Sequence, residues 1–283
     1  MKVISYSLFG YNGQRYDNCF DFNSYLRGLF INLRLARLLF PDWSIHVEMD
    51  EETNEAFGDM MRRAGIITRA NKRDALCKMM LWRMKPLFDE QDGKWKYSHV
   101  LCRDTDSPLT YKEAQIVNKW IQKDKCALAI TDSISHTIPM MGGMVGFQSN
   151  GFHTRWSAGD FNSMFVGCDI DFNHKGSDQD FLNRIIYPKY AKHGEDSITQ
   201  YYFKGMPNTF LTDFHNSIEY TDIGINEYES LDAPNICGHI GSAGYYNDVL
   251  YKELRKFKDK FKDIDEVESN YPEIFGWITE RSL

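Results

Sequence analysis

Up to Ile67 the chain alternates between two hydrophobic periods, and that alternation restricts the fold more tightly than any motif. Lys2-Val3-Ile4-Ser5-Tyr6-Ser7-Leu8-Phe9-Gly10 reads as a first strand ending at a glycine turn, and Tyr11 to Phe20 as a polar, glycine-containing loop. From Phe22 to Phe40, apolar residues recur at helical spacing: Leu26, Leu29, Phe30, Leu33, Ala36 and Leu39 or Phe40. Pro41 stops that helix. Ser44 to Met49 alternates Ile45, Val47 and Met49 with polar residues, which predicts a second strand. Asp50-Glu51-Glu52-Thr53 opens an acidic helix reaching about Ala64, Gly65 caps it, and Ile66-Ile67 begins a third strand. The order β-α-β-α-β implies an α/β fold with a parallel, doubly wound sheet.

Further along, Arg73 to Phe88 predicts a helix with Leu76, Met79, Met80 and Met84 on its apolar side. Val100 to Cys102 predicts a strand, Tyr111 to Gln122 a helix, Ala127 to Ile130 a strand, and Ser177 to Ile186 a short helix after a glycine. Residues 204–244 are loop-rich, and charged helices are expected at 246–262 and 265–280. The 283 residues suffice for a core without staples, and no repeat or linker interrupts them. We therefore expect one domain: 1–135 as a nucleotide-binding half, 136–245 as the acceptor and sugar side, and 246–283 as terminal helices.

Composition excludes several classes. At 42% hydrophobic and 14% aromatic the chain is globular, and a net charge of −7 disfavours general polyanion binding. Six cysteines without CxxC spacing predict free thiols in a reducing compartment. No apolar run approaches the ~20 residues of a membrane span. The N-terminus is too short and polar for a signal peptide. A soluble, cytoplasmic protein is expected.

Chemistry is suggested first by Arg103-Asp104-Thr105-Asp106-Ser107, directly after the apolar run Val100-Leu101-Cys102. Ligands of α/β sheets sit outside the carboxyl ends of strands, and two carboxylates there suit a hard divalent cation that also holds a diphosphate. Asp-x-Asp is also common in solvated turns. Gly142-Gly143-Met144-Val145-Gly146 lets backbone approach a ligand closely, although its spacing fits a tight strand-to-strand turn better. In Gly176-Ser177-Asp178-Gln179-Asp180-Phe181, either Ser177 or Asp178 caps a helix, or a carboxylate projects into a cleft beside the metal. In Cys237-Gly238-His239-Ile240-Gly241, a histidine between glycines either ligates a metal or is simply solvated. Residues 62–85 are rich in cations: Arg62, Arg63, Arg69, Lys72, Arg73, Lys78, Arg83 and Lys85. They form either a solvated face or a seat for an anionic donor or phosphate backbone. Arg83 follows the apolar run Met79-Met80-Leu81-Trp82, a setting that points to a partner anion.

Leu81-Trp82-Arg83-Met84-Lys85-Pro86-Leu87 followed by the strand and Arg103-Asp104-Thr105-Asp106-Ser107 resembles GT-A fold glycosyltransferases, in particular the glycogenin-like and lipopolysaccharide galactosyltransferase group. Asp178-Gln179-Asp180 is similar to that group's Asp-Gln-Asp segment, and His239 to its metal-binding histidine. A set of GT-A-like proteins, many from viruses and bacteria, is similar through Pro41-Asp42-Trp43, Lys112-Glu113-Ala114 and Pro139-Met140-Met141-Gly142-Gly143-Met144 as well. The chain departs from that set at Pro108, Thr131-Asp132-Ser133 and Val145, around the sugar pocket.

The resemblance implies a Rossmann-type, mostly parallel sheet flanked by helices with an irregular C-terminal half. It implies Mn²⁺ or Mg²⁺ held by Asp104, Asp106 and His239. Donor binding falls to Arg83, Arg103, Asp104, Gly142, Gly143 and Gly241, and Asp178 and then Asp180 are the catalytic carboxylates. The donor is a nucleoside diphosphate-sugar, a UDP-sugar first. The acceptor hydroxyl belongs to a glycan, a protein or a hydroxymethylated phage DNA base. Two other classes stay open: a nucleotidyltransferase or phosphohydrolase, and a non-catalytic module binding carbohydrate or nucleic acid.

Overall fold

The computed structural model describes residues 1–11, 22–131, 138–157, 159–192, 197–202 and 254–276. In chain order the elements begin β1 (Lys2–Leu8), α1 (Phe22–Leu39), β2 (Trp43–Asp50), α2 (Glu51–Arg63), β3 (Ile67–Asn71) and α3 (Leu76–Leu81). A 3-10 stretch, Trp82–Phe88, precedes the short strands β4 (Glu90–Gln91) and β5 (Lys94–Trp95). There follow β6 (His99–Arg103), α4 (Tyr111–Gln122), β7 (Ala127–Thr131), β8 (Met144–Gln148), α5 (Ser149–Arg155), α6 (Ser177–Phe181), α7 (Tyr187–Ala191) and β9 (Ile198–Tyr202). Two further helices, Lys262–Ser269 and Pro272–Phe275, complete the described residues. None of the helices is long and apolar enough to cross a membrane.

The fold is α/β with mostly parallel pairing. The chain divides into two compact units, each made of three segments. One unit holds Met1–Ser7, Arg73–Asp104 and Gln115–Gly224; the other holds Leu8–Lys72, Thr105–Ala114 and Ile225–Leu283. The sequence boundaries at 135 and 245 therefore fall inside units rather than between them.

In the first unit β6 runs parallel to β1, with Ile4 opposite Leu101, and antiparallel to β8, with Leu101 opposite Gly146. β7 pairs antiparallel with β8 and parallel with β9. Val3, Ile4, Val100, Leu101 and Phe147 are wholly buried, as expected of strands covered on both faces. The expected helix from Arg73 to Phe88 is only in part α-helical. Pro86 has no N–H to give the carbonyl of Trp82, and its ring crowds that carbonyl, so the backbone tightens to 3-10 from Trp82 onward. β8 and α5 were not expected; Gly142 and Gly143 do form a tight turn, the Met144 N–H donating to the Met141 carbonyl at 2.9 Å, and it leads into β8.

In the second unit β2 and β3 pair in parallel, His46 opposite Ile67 through Asp50 opposite Asn71. Asp50 caps α2 by accepting from the Thr53 N–H at 3.0 Å, a bond worth about 1 kcal/mol. Gly65, at φ +84°, closes the same helix by donating to the Arg62 carbonyl. One face of α1 rests on the C-terminal helices. Arg27 donates to the Ile274 carbonyl, Phe30 meets Phe275, and the buried Arg34 forks onto Asp265 and Glu268. Of the first expected C-terminal helix, 246–253 lie outside the described residues, and the described part is a 3-10 stretch, Arg255–Lys260, broken at Phe257. The second ends before Tyr271 and restarts at Pro272, and 277–280 lie outside the described residues.

Candidate active site

Three ionisable side chains converge at the carboxyl end of β6, all within the first unit. Arg83 is placed by β1: its backbone N–H donates to Ser7 Oγ at 2.9 Å, while that hydroxyl donates to the Met80 carbonyl at 3.1 Å. The Arg83 guanidinium then donates through Nε to the Met80 carbonyl and through Nη1 to Asp104. Burial opposes its charge, but the Asp104 and Asp178 carboxylates outweigh that and hold its pKa up. Beneath it the Cys102 thiol is pushed up to about 12, chiefly by burial, and stays neutral.

Asp178 is buried at 4% exposure, on the first turn of α6. Desolvation raises its pKa, Arg83 pulls it down, and Asp104 pushes it up again, for a net rise. It does not cap the helix. Gly176 occupies the N-cap position at φ +90°, and the Ser177 hydroxyl donates instead to the carbonyls of Asp171 and His174. The capping explanation expected for these residues is thus replaced by a carboxylate driven into the interior.

The glycine pair closes the cluster. Neither Gly142 nor Gly143 has a positive φ, so backbone freedom is not what places glycine here. A Cβ on Gly143 would overlap the Asp104 carboxylate. One on Gly142 would lie 3.2 Å from Asp178 Oδ2 and 3.4 Å from Arg83 Nη2. Close approach is the requirement, and only glycine meets it. Arg103, expected at the donor, is fully buried and donates to the Gly143 carbonyl at 2.6 Å and to the Met144 sulfur, so it supports the turn from below.

Arg83, Asp104, Asp178, Gly142 and Gly143 are therefore brought together, with Arg103 behind them. Asp180 is not: it is exposed, and two residues along a helix from Asp178 it faces another way. Asp106 belongs to the second unit, half-buried in a turn between the buried Thr105 and Ser107. His239 and Gly241 lie outside the described residues. Among the described residues no three His, Cys, Asp or Glu side chains group as metal ligands. Four of the other cations of 62–85 have separate partners: Arg62 meets Thr68 and Asp59, Arg69 meets Glu48, and Lys78 and Lys85 lie over aromatic rings.

Several contributors were not anticipated. Gln179 and Asn183 bind the Met140–Gly142 segment from α6 and the turn after it. Asn32 and Gly28 of α1 seat the turn that carries Asp106: the Asn32 amide donates to the carbonyls of Thr105 and Ser107 and accepts from the Leu109 N–H. No local sequence pattern marks these polar residues, because each binds backbone far along the chain.

No protein-family model matches the chain, and no curated protein sequence does. Among solved structures, that of 4-diphosphocytidyl-2C-methyl-D-erythritol synthase from Anaerococcus prevotii aligns over 71% of this chain and 85% of its own, at 11% identity and a TM-score of 0.42.

Proposed function

We propose that the chain is a metal-dependent glycosyltransferase, moving a sugar from a nucleoside diphosphate-sugar, a UDP-sugar first, to an acceptor hydroxyl. The observation that carries this is one buried guanidinium shared between two carboxylates, the outer one 43% exposed, at a strand end roofed by two glycines. Strand ends of this kind are where α/β sheets bind nucleotide ligands.

Asp104 fits a hard cation in its donor chemistry and its partial exposure. Asp104, with Asp106 and His239 taken from the sequence pattern, would hold Mn²⁺ or Mg²⁺. Such an ion, when bound, offsets charge on a leaving diphosphate. Arg83 fixes the direction of Asp104 through their ion pair. Asp178, sheltered from water, provides the anionic character that an oxocarbenium-like centre requires, or orients the acceptor hydroxyl. The backbone around Gly142 and Gly143 would line the donor-sugar side.

The test is a thermal-shift panel of nucleoside diphosphates and their sugars, with and without Mn²⁺, followed by product analysis. A ligand that binds the native state raises its apparent stability. The expected result is a Mn²⁺-dependent shift with one nucleotide class and release of nucleoside diphosphate. Pyrophosphate release would assign the site to nucleotidyl transfer instead, and shifts indifferent to chelator would assign it to a binding module.

A further inference from the structure

We propose that Asn183 is a positioning residue of the candidate site: its amide, together with that of Gln179, sets the height of the Gly142–Gly143 turn over Asp104 and Asp178. As an account of catalysis this rests on the glycosyltransferase proposal; as an account of structure it stands alone.

The geometry is that of a strand pairing made by side chains. Asn183 Oδ1 accepts from the Met140 N–H at 2.9 Å, and its Nδ2 donates to the Met140 carbonyl at 2.8 Å. A single amide thus satisfies both backbone groups of one residue, as a neighbouring strand would. Two residues on, the Gly142 N–H donates to Gln179 Oε1 at 3.1 Å. Residues four apart on a helix face are separated by about 6 Å of rise. Alternate residues of an extended chain are about 6.6 Å apart. The amides at 179 and 183 therefore match the spacing of the backbone at 142 and 140.

The helix is also interrupted where the clamp sits. Leu182–Ile186 is a π-turn, between the α-helical turns of α6 and α7. Such turns are rare and cluster at functional sites. Here the Asn183 Nδ2 also donates to the Gln179 carbonyl at 2.8 Å, which ties the two amides together across the junction. The same helix delivers Asp178, and the same turn presses Gly143 against Asp104 while Arg103 holds its carbonyl. The clamp thus links the helical turn that carries Asp178 to the glycine turn that lies against Asp104.

Two measurements on the full chain decide the matter, with Asn183→Ala and Asn183→Asp as variants and Arg184→Ala, an exposed neighbour, as control. The first is amide hydrogen exchange, which needs no activity. Asn183→Ala is expected to speed exchange about tenfold at Met140 to Met144 and leave β1 and β6 unchanged, with Asn183→Asp, which keeps only the acceptor, in between. Unchanged protection of the turn overturns the proposal. The second is steady-state turnover of the donor found in the panel. Asn183→Ala is expected to lower kcat at least tenfold with donor KM within twofold, while Arg184→Ala matches wild type. A turn that loosens without loss of kcat, or a loss confined to KM, overturns the positioning role. If wild type turns over no nucleotide-sugar, the glycosyltransferase proposal fails, and the clamp stands or falls on exchange alone.

Discussion

Arg83 and Asp104, 21 residues apart in sequence, form an ion pair whose cation is buried at 5% exposure while its anion is open at 43%. That asymmetry orients the pair. A guanidinium deep in the protein cannot reach solvent to relax, so the carboxylate above it is held in one place, with Oδ1 on Arg83 and Oδ2 against Gly143. Asp178 supplies a second anion to the same cation from the buried side.

Removing the cation should therefore cost more than removing either anion. Arg83→Met leaves Asp178 buried without its counter-charge, and an uncompensated buried charge destabilises by about 3–5 kcal/mol. Adding Asp178→Asn to that variant should restore a large part of the loss, because the stranded charge is then gone. Urea unfolding of the two single variants and the double variant measures the coupling. Strict additivity would show that the two side chains do not interact.

Asp178 alone is expected to trade stability for function. Its folded pKa is raised, by desolvation first. In the pH window between the unfolded value of about 3.9 and the raised folded value, the native state holds a proton that the unfolded state has released. Stability contributed by this group is therefore present below the unfolded pKa and falls as pH rises through the folded one. Asp178→Asn removes that loss. The variant should melt higher than wild type at neutral pH, with the gap closing in acid, and should be inactive in donor turnover. A lower melting temperature at neutral pH would mean that Arg83 wins over desolvation.

The first half of the fold was legible because its elements are long and strongly periodic. The span of α1, its stop before Pro41, the Asp50 cap and the Gly65 closure all follow from local rules that tertiary packing reinforces. β8 was not legible. Met144–Gln148 is short and carries Gly146, which reads as a turn residue, whereas the structure uses that glycine to admit the Trp120 ring, 3.0 Å from where a Cβ would be. Within the candidate site, the charged residues announced themselves by sitting next to apolar runs. Asn183, Gln179 and Asn32 did not, because their function is to bind distant backbone, and no local pattern encodes a partner 43, 37 or 73 residues away.

Gly143→Ala and Gly142→Ala should rank in that order of severity. At 143 the new methyl falls on the Asp104 carboxylate, which must swing off Arg83; at 142 the neighbours stand at 3.2 Å or more and need give only slightly. Overpacking of this kind costs about 1–3 kcal/mol. The sharper expectation is functional: Gly143→Ala loses the Mn²⁺-dependent nucleotide shift, and Gly142→Ala keeps it with weaker affinity. The reverse ranking would remove Asp104 from the metal site.

The turn bearing Asp106 depends on α1 in a way that two substitutions can separate. Asn32 is fully buried and makes three hydrogen bonds to that turn, at 3.2 Å, 3.0 Å and 2.8 Å. Asn32→Ala removes these bonds to the Thr105 and Ser107 carbonyls and the Leu109 N–H, and a buried polar group that loses its partner costs about 1–3 kcal/mol. Asn32→Asp keeps the acceptor for Leu109 but turns a carboxylate toward two carbonyl oxygens. Burial and repulsion both favour its protonated form, so that variant should regain stability as pH falls through the carboxylate range and lose it as pH rises. Gly28→Ala tests the same contact sterically. Alanine favours an isolated helix by about 1 kcal/mol over glycine, yet here its Cβ would overlap the Thr105 carbonyl oxygen, which is backbone and cannot rotate aside. The net effect should be destabilising, and the turn should shift enough to weaken any Mn²⁺-dependent nucleotide shift. If Gly28→Ala instead stabilises the chain and leaves that shift intact, the seat of Asp106 is soft, and its carboxylate is not held in place by α1.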